Sequence, residues 1–122
     1  PKAVQTTITT TLARNTLISV DEDLDPGGNI YDVVMRPANG RERSFTVSAD
    51  GSLLTEEVFI EQVPVAARNT ITAQVGNGKI IEIDKSYVLD TGVKPFEVHA
   101  WKDGKEVDFS VGPGGKFLGL DN

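Results

Sequence analysis

The 122-residue sequence contains no cysteine. That excludes disulfides, thiolate metal sites and cysteine nucleophiles, and it fits a reducing or an oxidising compartment equally well. There is one histidine, one tryptophan and one methionine. A lone histidine leaves no multi-histidine zinc site within a single chain. No apolar run approaches the ~20 residues that span a bilayer, so membrane insertion is not expected. Basic residues are also scarce, 12 Lys and Arg against 18 Asp and Glu, for a net charge of -6. The cations are interspersed and form no basic stripe, which argues against a nucleic-acid partner. No cofactor motif is present. The segment "GPGGKF" lacks the Ser or Thr of a phosphate loop and reads as a hairpin turn.

What is there is a repeat. The tetrapeptide Ala-Arg-Asn-Thr occurs at residues 13–16 and 67–70. Sliding the chain by that spacing aligns little else, so the tetrapeptide is not the repeat. A longer slide aligns apolar spacing and turn glycines through the whole chain. Val4, Ile8 and Leu12 fall on Ala67, Ile71 and Val75. Leu17-Ile18-Ser19-Val20-Asp21 falls on Ile80-Ile81-Glu82-Ile83-Asp84. Tyr31-Asp32-Val33 meets Phe96-Glu97-Val98, Phe45 and Val47 meet Phe109 and Val111, and Gly51 meets Gly115.

Each copy opens with apolar residues four apart, one stripe of a helix. Pro1 and Pro64 suit a first helical turn, and Gly76 or Gly78 suits the end of the second helix. The first helix competes with a strand reading, because Thr6–Thr11 is largely β-branched. The rest of each copy alternates with period two, as in Tyr31, Val33 and Met35 or Phe96, Val98 and Ala100. One apolar face implies an antiparallel sheet packed on one side. Ala38-Asn39-Gly40, Asp50-Gly51, Asp103-Gly104 and Gly114-Gly115 supply the hairpin turns. A last strand through Val58, Phe59 and Ile60 is expected to lead into the second copy. The fold class is α+β: two tandem helix-plus-antiparallel-meander repeats, with the helices packed on one face of the sheets. The boundaries are 1–62 and 63–122, and units this small are expected to form one compact whole.

The Pro-x-Ala-Val helix start, the Ile-Ile-Glu-Ile strand, the aromatic-acid-Val strands, Asp103-Gly104-Lys105-Glu106-Val107 and the closing Gly115-Lys116-Phe117-Leu118 resemble PepSY-like domains. Tandem copies resemble the architecture of beta-lactamase inhibitory proteins. The resemblance covers nearly the whole chain. It implies a non-catalytic, periplasmic or secreted protein, and a start at Pro1 rather than Met fits a removed export signal. It also implies a protein partner, with inhibition of a peptidase or other enzyme as the most specific form. It carries over no catalytic and no inhibitory residue.

The candidate partner-binding residues are Trp101, His99, Arg36 and Val34, at matching positions on the polar strand faces of the two copies. Trp and Arg are favoured interface anchors. His99 itself reads as an ordinary exposed strand residue. The alternative site is the acidic stretch "DEDLDPGGNIYD", where Asp21, Asp23, Asp25 and Asp32 mimic the spacing of a calcium loop. Pro26 stands where that loop needs glycine. "QVGNG" is similar to the inhibitory loop of cystatins but lacks its central Val. Acidic pairs such as Glu56-Glu57 or Glu106 and Asp108 read as solvated strand faces, with no pocket to separate their pKa values.

Overall fold

A computed structural model describes residues 1–24, 26–38, 40–89 and 92–120. The chain separates into two compact units, Pro1–Glu56 and Glu57–Asn122. The first contains helix α1 (Lys2–Leu12) and strands β1 (Thr16–Asp23), β2 (Ile30–Arg36), β3 (Arg43–Ser48) and β4 (Leu53–Val58), the last of which runs across the boundary. A 3-10 turn (Ile60–Gln62) leads into α2 (Val65–Val75), β5 (Lys79–Ser86), β6 (Phe96–Lys102), β7 (Lys105–Val111) and β8 (Phe117–Leu120). Within each unit, successive strands pair antiparallel as a meander.

The threonine-rich segment is helical. Its intrinsic propensity is poor, but its stripe buries Val4 with Val33, Met35, Phe45 and Val47, and Ile8 and Leu12 pack against them. Tertiary packing of an amphipathic face overrides propensity. The hydroxyls find partners too. Thr6 Oγ1 donates to the Lys2 carbonyl at 3.0 Å, and Thr7 Oγ1 donates to the Gly51 carbonyl. The second unit repeats the device, with Thr70 Oγ1 donating to the Gly115 carbonyl. Gly51 and Gly115 lie so close to the helices that an added Cβ would sit 2.9 Å from Ala3 and 2.8 Å from Ala66. A turn thus clamps each helix onto its sheet.

The second core is fuller. Ala67, Ile71 and Val75 bury against Ile83, Phe96, Val98, Ala100, Phe109 and Val111. The prolines stand at the N-caps, one residue before the first helical turn, and α2 ends at Gly76. The equivalent residue after α1 is Ala13, held at φ 52°. The first Ala-Arg-Asn-Thr is therefore a helix exit, while the second lies inside α2. Phe59 and Ile60 lie beyond β4, where the expected strand instead breaks into the 3-10 turn. Arg68 explains the break: its Nε donates to the Ile60 carbonyl at 3.1 Å, and its Nη2 donates to those of Glu61 and Val63 at 3.2 and 3.0 Å.

The repeat extends to irregularities. In the first sheet, the β1–β2 register shifts at Ile18. In the second, the β5–β6 register shifts at Ile81, its repeat counterpart. Each shift is a β-bulge, which inserts one unpaired residue and re-aims the side chains after it.

Candidate functional site on the open face of the second sheet

Strand alternation sends Phe96, Val98 and Ala100 of β6 into the core under α2. Glu97, His99 and Trp101 therefore project from the opposite face. The bulge at Ile81 decides what joins them. It lets both Ile80 and Ile83 meet the core, and it places Glu82 opposite His99 and Asp84 opposite Glu97. From the other side, β7 sets Asp108 opposite His99 and Glu106 opposite Trp101.

His99 is consequently bracketed by carboxylates. Its Nδ1 lies 2.9 Å from Asp108 Oδ1 and its Nε2 lies 3.7 Å from Asp84 Oδ2. Two triads of possible ligand atoms share it, Glu82–Asp84–His99 and His99–Glu106–Asp108, each within 4.8 Å. Burial would lower the His99 pKa, but the hydrogen bond and charge of Asp108, aided by the charges of Asp84 and Glu82, outweigh it and raise the pKa above the usual histidine value. The Asp84 carboxyl is pushed up to about 8, by burial first, then by its hydrogen bond and repulsion with Glu82 and by Glu57, against the opposing pull of His99. Both shifts favour the protonated forms of Asp84 and His99.

This corrects two sequence expectations. His99 is not an ordinary exposed strand residue, since only 35% of its side chain is accessible and both ring nitrogens face carboxylates. Asp108 of β7 is not merely solvated, since it pairs with His99. Glu82 and Asp84 were missed, and Asp108 was read as solvated, because they converge on His99 from different strands and the bulge breaks the alternation that would have revealed them. The double Ile in Ile80-Ile81-Glu82-Ile83 is the signal that could have shown it.

One recess includes His99, and a second lies at the Trp101 end of β6. One, of about 270 Å³, is walled by Val88, Leu89 and Pro95 and floored by Glu97, His99 and Asp108. The other, an open cleft of about 470 Å³, is bordered by Gly76–Lys79 and by Trp101, Lys102 and Asp103. Trp101 keeps 49% of its surface exposed, yet its backbone is fixed. A Cβ at Gly78 would lie 2.2 Å from the Trp101 carbonyl oxygen. Lys102 Nζ donates to the Gln74 carbonyl at the end of α2, 2.8 Å away. Asp103 and Gly104, with φ of 52° and 79°, close the hairpin between Lys102 and Lys105. Positive φ at both positions matches a two-residue hairpin turn.

The other candidates lie in the first unit. Val34 and Arg36 occupy the β2 positions that His99 and Trp101 occupy in β6. Val34 is half-buried, and Arg36 Nη2 pairs with Glu42 Oε2 at 2.6 Å with both side chains about half exposed. Asp21 and Asp23 lie in strand β1, not in a loop, and Asp32 faces Asp21 across β1–β2. Asp25 lies outside the described residues. Asp21 and Asp32 are thus the repeat counterparts of Asp84 and Glu97, but the counterparts of Glu82, His99 and Asp108 are Ser19, Val34 and Ser44. Among the described residues, the clusters of metal-ligating type are the two that share His99, in the second unit.

No protein-family model matches the sequence, and no curated protein matches it. Solved structures do match. A BLIP-like protein from Bacteroides fragilis aligns over 99% of this chain and 84% of its own, with a TM-score of 0.64 and 19% identity. The fold is BLIP-like. A DUF2874 family protein from Bacteroides ovatus matches this BLIP-like fold over 100% of this chain and 86% of its own, with a TM-score of 0.66 and 15% identity. A Bacteroides eggerthii protein provisionally designated periplasmic matches over 100% and 88%, with a TM-score of 0.67 and 15% identity. At such identities the BLIP-like likeness is one of fold, as the sequence resemblance implied.

Proposed function

We propose that this chain is a non-catalytic, exported binding protein that engages a protein partner through the open face of its second sheet. The observation that carries the reading is Trp101: a large aromatic side chain, 49% exposed, on a backbone locked by a tight hairpin and a close helix exit. A rigid, exposed aromatic beside a cleft is the kind of anchor on which binding energy concentrates. The BLIP-like fold supports the reading, and the periplasmic designation of a structural relative supports export. Inhibition of an enzyme is its most specific form. The test is affinity capture on immobilised protein from the extracytoplasmic fraction of the source organism. A partner held by the wild type and lost by Trp101→Ala supports the reading. Equal capture by both, with stability unchanged, removes Trp101 from it.

A further inference from the structure

The recess beside His99 has a chemistry of its own. Its wall is apolar: Val88 is 55% and Leu89 64% accessible, beside the buried Pro95. The loop that carries this wall is pinned at its start by Ser86, a buried residue whose hydroxyl donates to the Val88 carbonyl and accepts its N–H, each at 3.1 Å. The floor is acidic. Glu97 and Asp108 line it with His99, and Asp84, Glu82 and Glu106 stand around the same imidazole. Four carboxylates therefore stand around one histidine, and Glu97 adds a fifth to the floor of the recess.

An apolar wall leading to an acidic floor complements one kind of side chain: an aliphatic stem carrying a cationic head. We propose that this recess receives a lysine or arginine side chain from the protein partner, its stem against Val88, Leu89 and Pro95 and its head group at Asp108 and Glu97. The inference rests on the reading of this face as a docking surface, and it names the partner's chemistry there. The incoming cation also offsets repulsion between the Asp108 and Glu97 carboxylates. The first unit has no such floor, since Ser44 and Val34 replace Asp108 and His99. The recess is therefore expected to act in the second unit alone.

The test is an NMR titration of the isotope-labelled full chain with N-acetyl-arginine amide. N-acetyl-citrulline amide, of nearly the same shape but uncharged, is the control. Saturable shifts at Val88, Leu89, His99 and Asp108 with the arginine compound, and none with citrulline, are expected. Asp108→Asn should weaken the affinity about two- to fivefold, the range for a partly exposed charge pair. Leu89→Ser, at an exposed position outside the core, should weaken it as well. Trp101→Ala should leave this titration unchanged, so the recess and the broader docking reading can fail separately. Equal responses to both compounds, or no response, would overturn the proposal. So would saturable shifts at the same residues with calcium chloride and none with the arginine compound, which would make the cluster a metal site instead.

Discussion

Replacing Asp84 by Asn tests the electrostatics of the cluster directly. The Asp84 pKa stands at about 8 in the folded chain, against an ordinary value of 3.8. The folded state therefore holds this proton more tightly than the unfolded chain. Its contribution to stability is fully present below about pH 4, declines as pH rises, and is lost through about pH 8. His99 acts in the same direction, because its pKa is also raised: its contribution is present below the ordinary histidine value and is lost as pH rises through the folded one. Moving a carboxyl from about 4 to about 8 spans roughly 5 kcal/mol at ~1.4 kcal/mol per pH decade. Solvent reaches one side of the cluster, and screening reduces this to about 2 kcal/mol. The amide of Asn keeps a hydrogen-bonding group beside Glu82 without the charge. Urea unfolding at pH 5 and pH 9 supplies the comparison. The wild type should lose about 2 kcal/mol between them, or roughly 6–10 °C in Tm. Asp84→Asn should lose at most half of that and should exceed the wild type at pH 9 by about 1 kcal/mol. Equal pH dependence in the two proteins, or a wild type that gains stability towards pH 9, would refute the reasoning.

Ala13→Gly should stabilise the first unit by about 1 kcal/mol, because it relieves an L-residue at φ 52° where the second unit uses Gly76; thermal melting checks this, and a lower Tm would contradict it. Arg68→Ala should destabilise the second unit by about 2 kcal/mol, since three carbonyls lose a charged donor; a change under ~0.5 kcal/mol in chemical denaturation would show that water replaces the guanidinium without cost.

The architecture was legible because its signals are local and repeated. Period-two apolar residues in β2, β6 and β7 marked the buried face, and Gly51 and Gly115 marked turns that the structure shows gripping the helices. The first helix was ambiguous because its stripe and its threonines disagree, and only the burial of Val4 against Phe45 and Val47 settles it. The end of β4 was misplaced because Arg68, eight residues on from Ile60, draws the chain into a turn. The His99 cluster was invisible for a similar reason. Its members come from β5, β6 and β7, and a one-residue bulge at Ile81 decides their common face. Register of that kind is set by pairing partners and is not carried by any short stretch of sequence. Trp101 could be singled out beforehand because an aromatic in a polar strand position stands out on its own.

The central claim is that the open face of the second sheet docks a protein partner. Its most direct test is affinity capture with three immobilised proteins: wild type, Trp101→Ala, and Val65→Ser, the last an exposed apolar position on α2. One protein should be retained by the wild type and by Val65→Ser and lost by Trp101→Ala. Retention by Trp101→Ala at the wild-type level, with loss by Val65→Ser, would place the docking surface on the helix side and contradict the account.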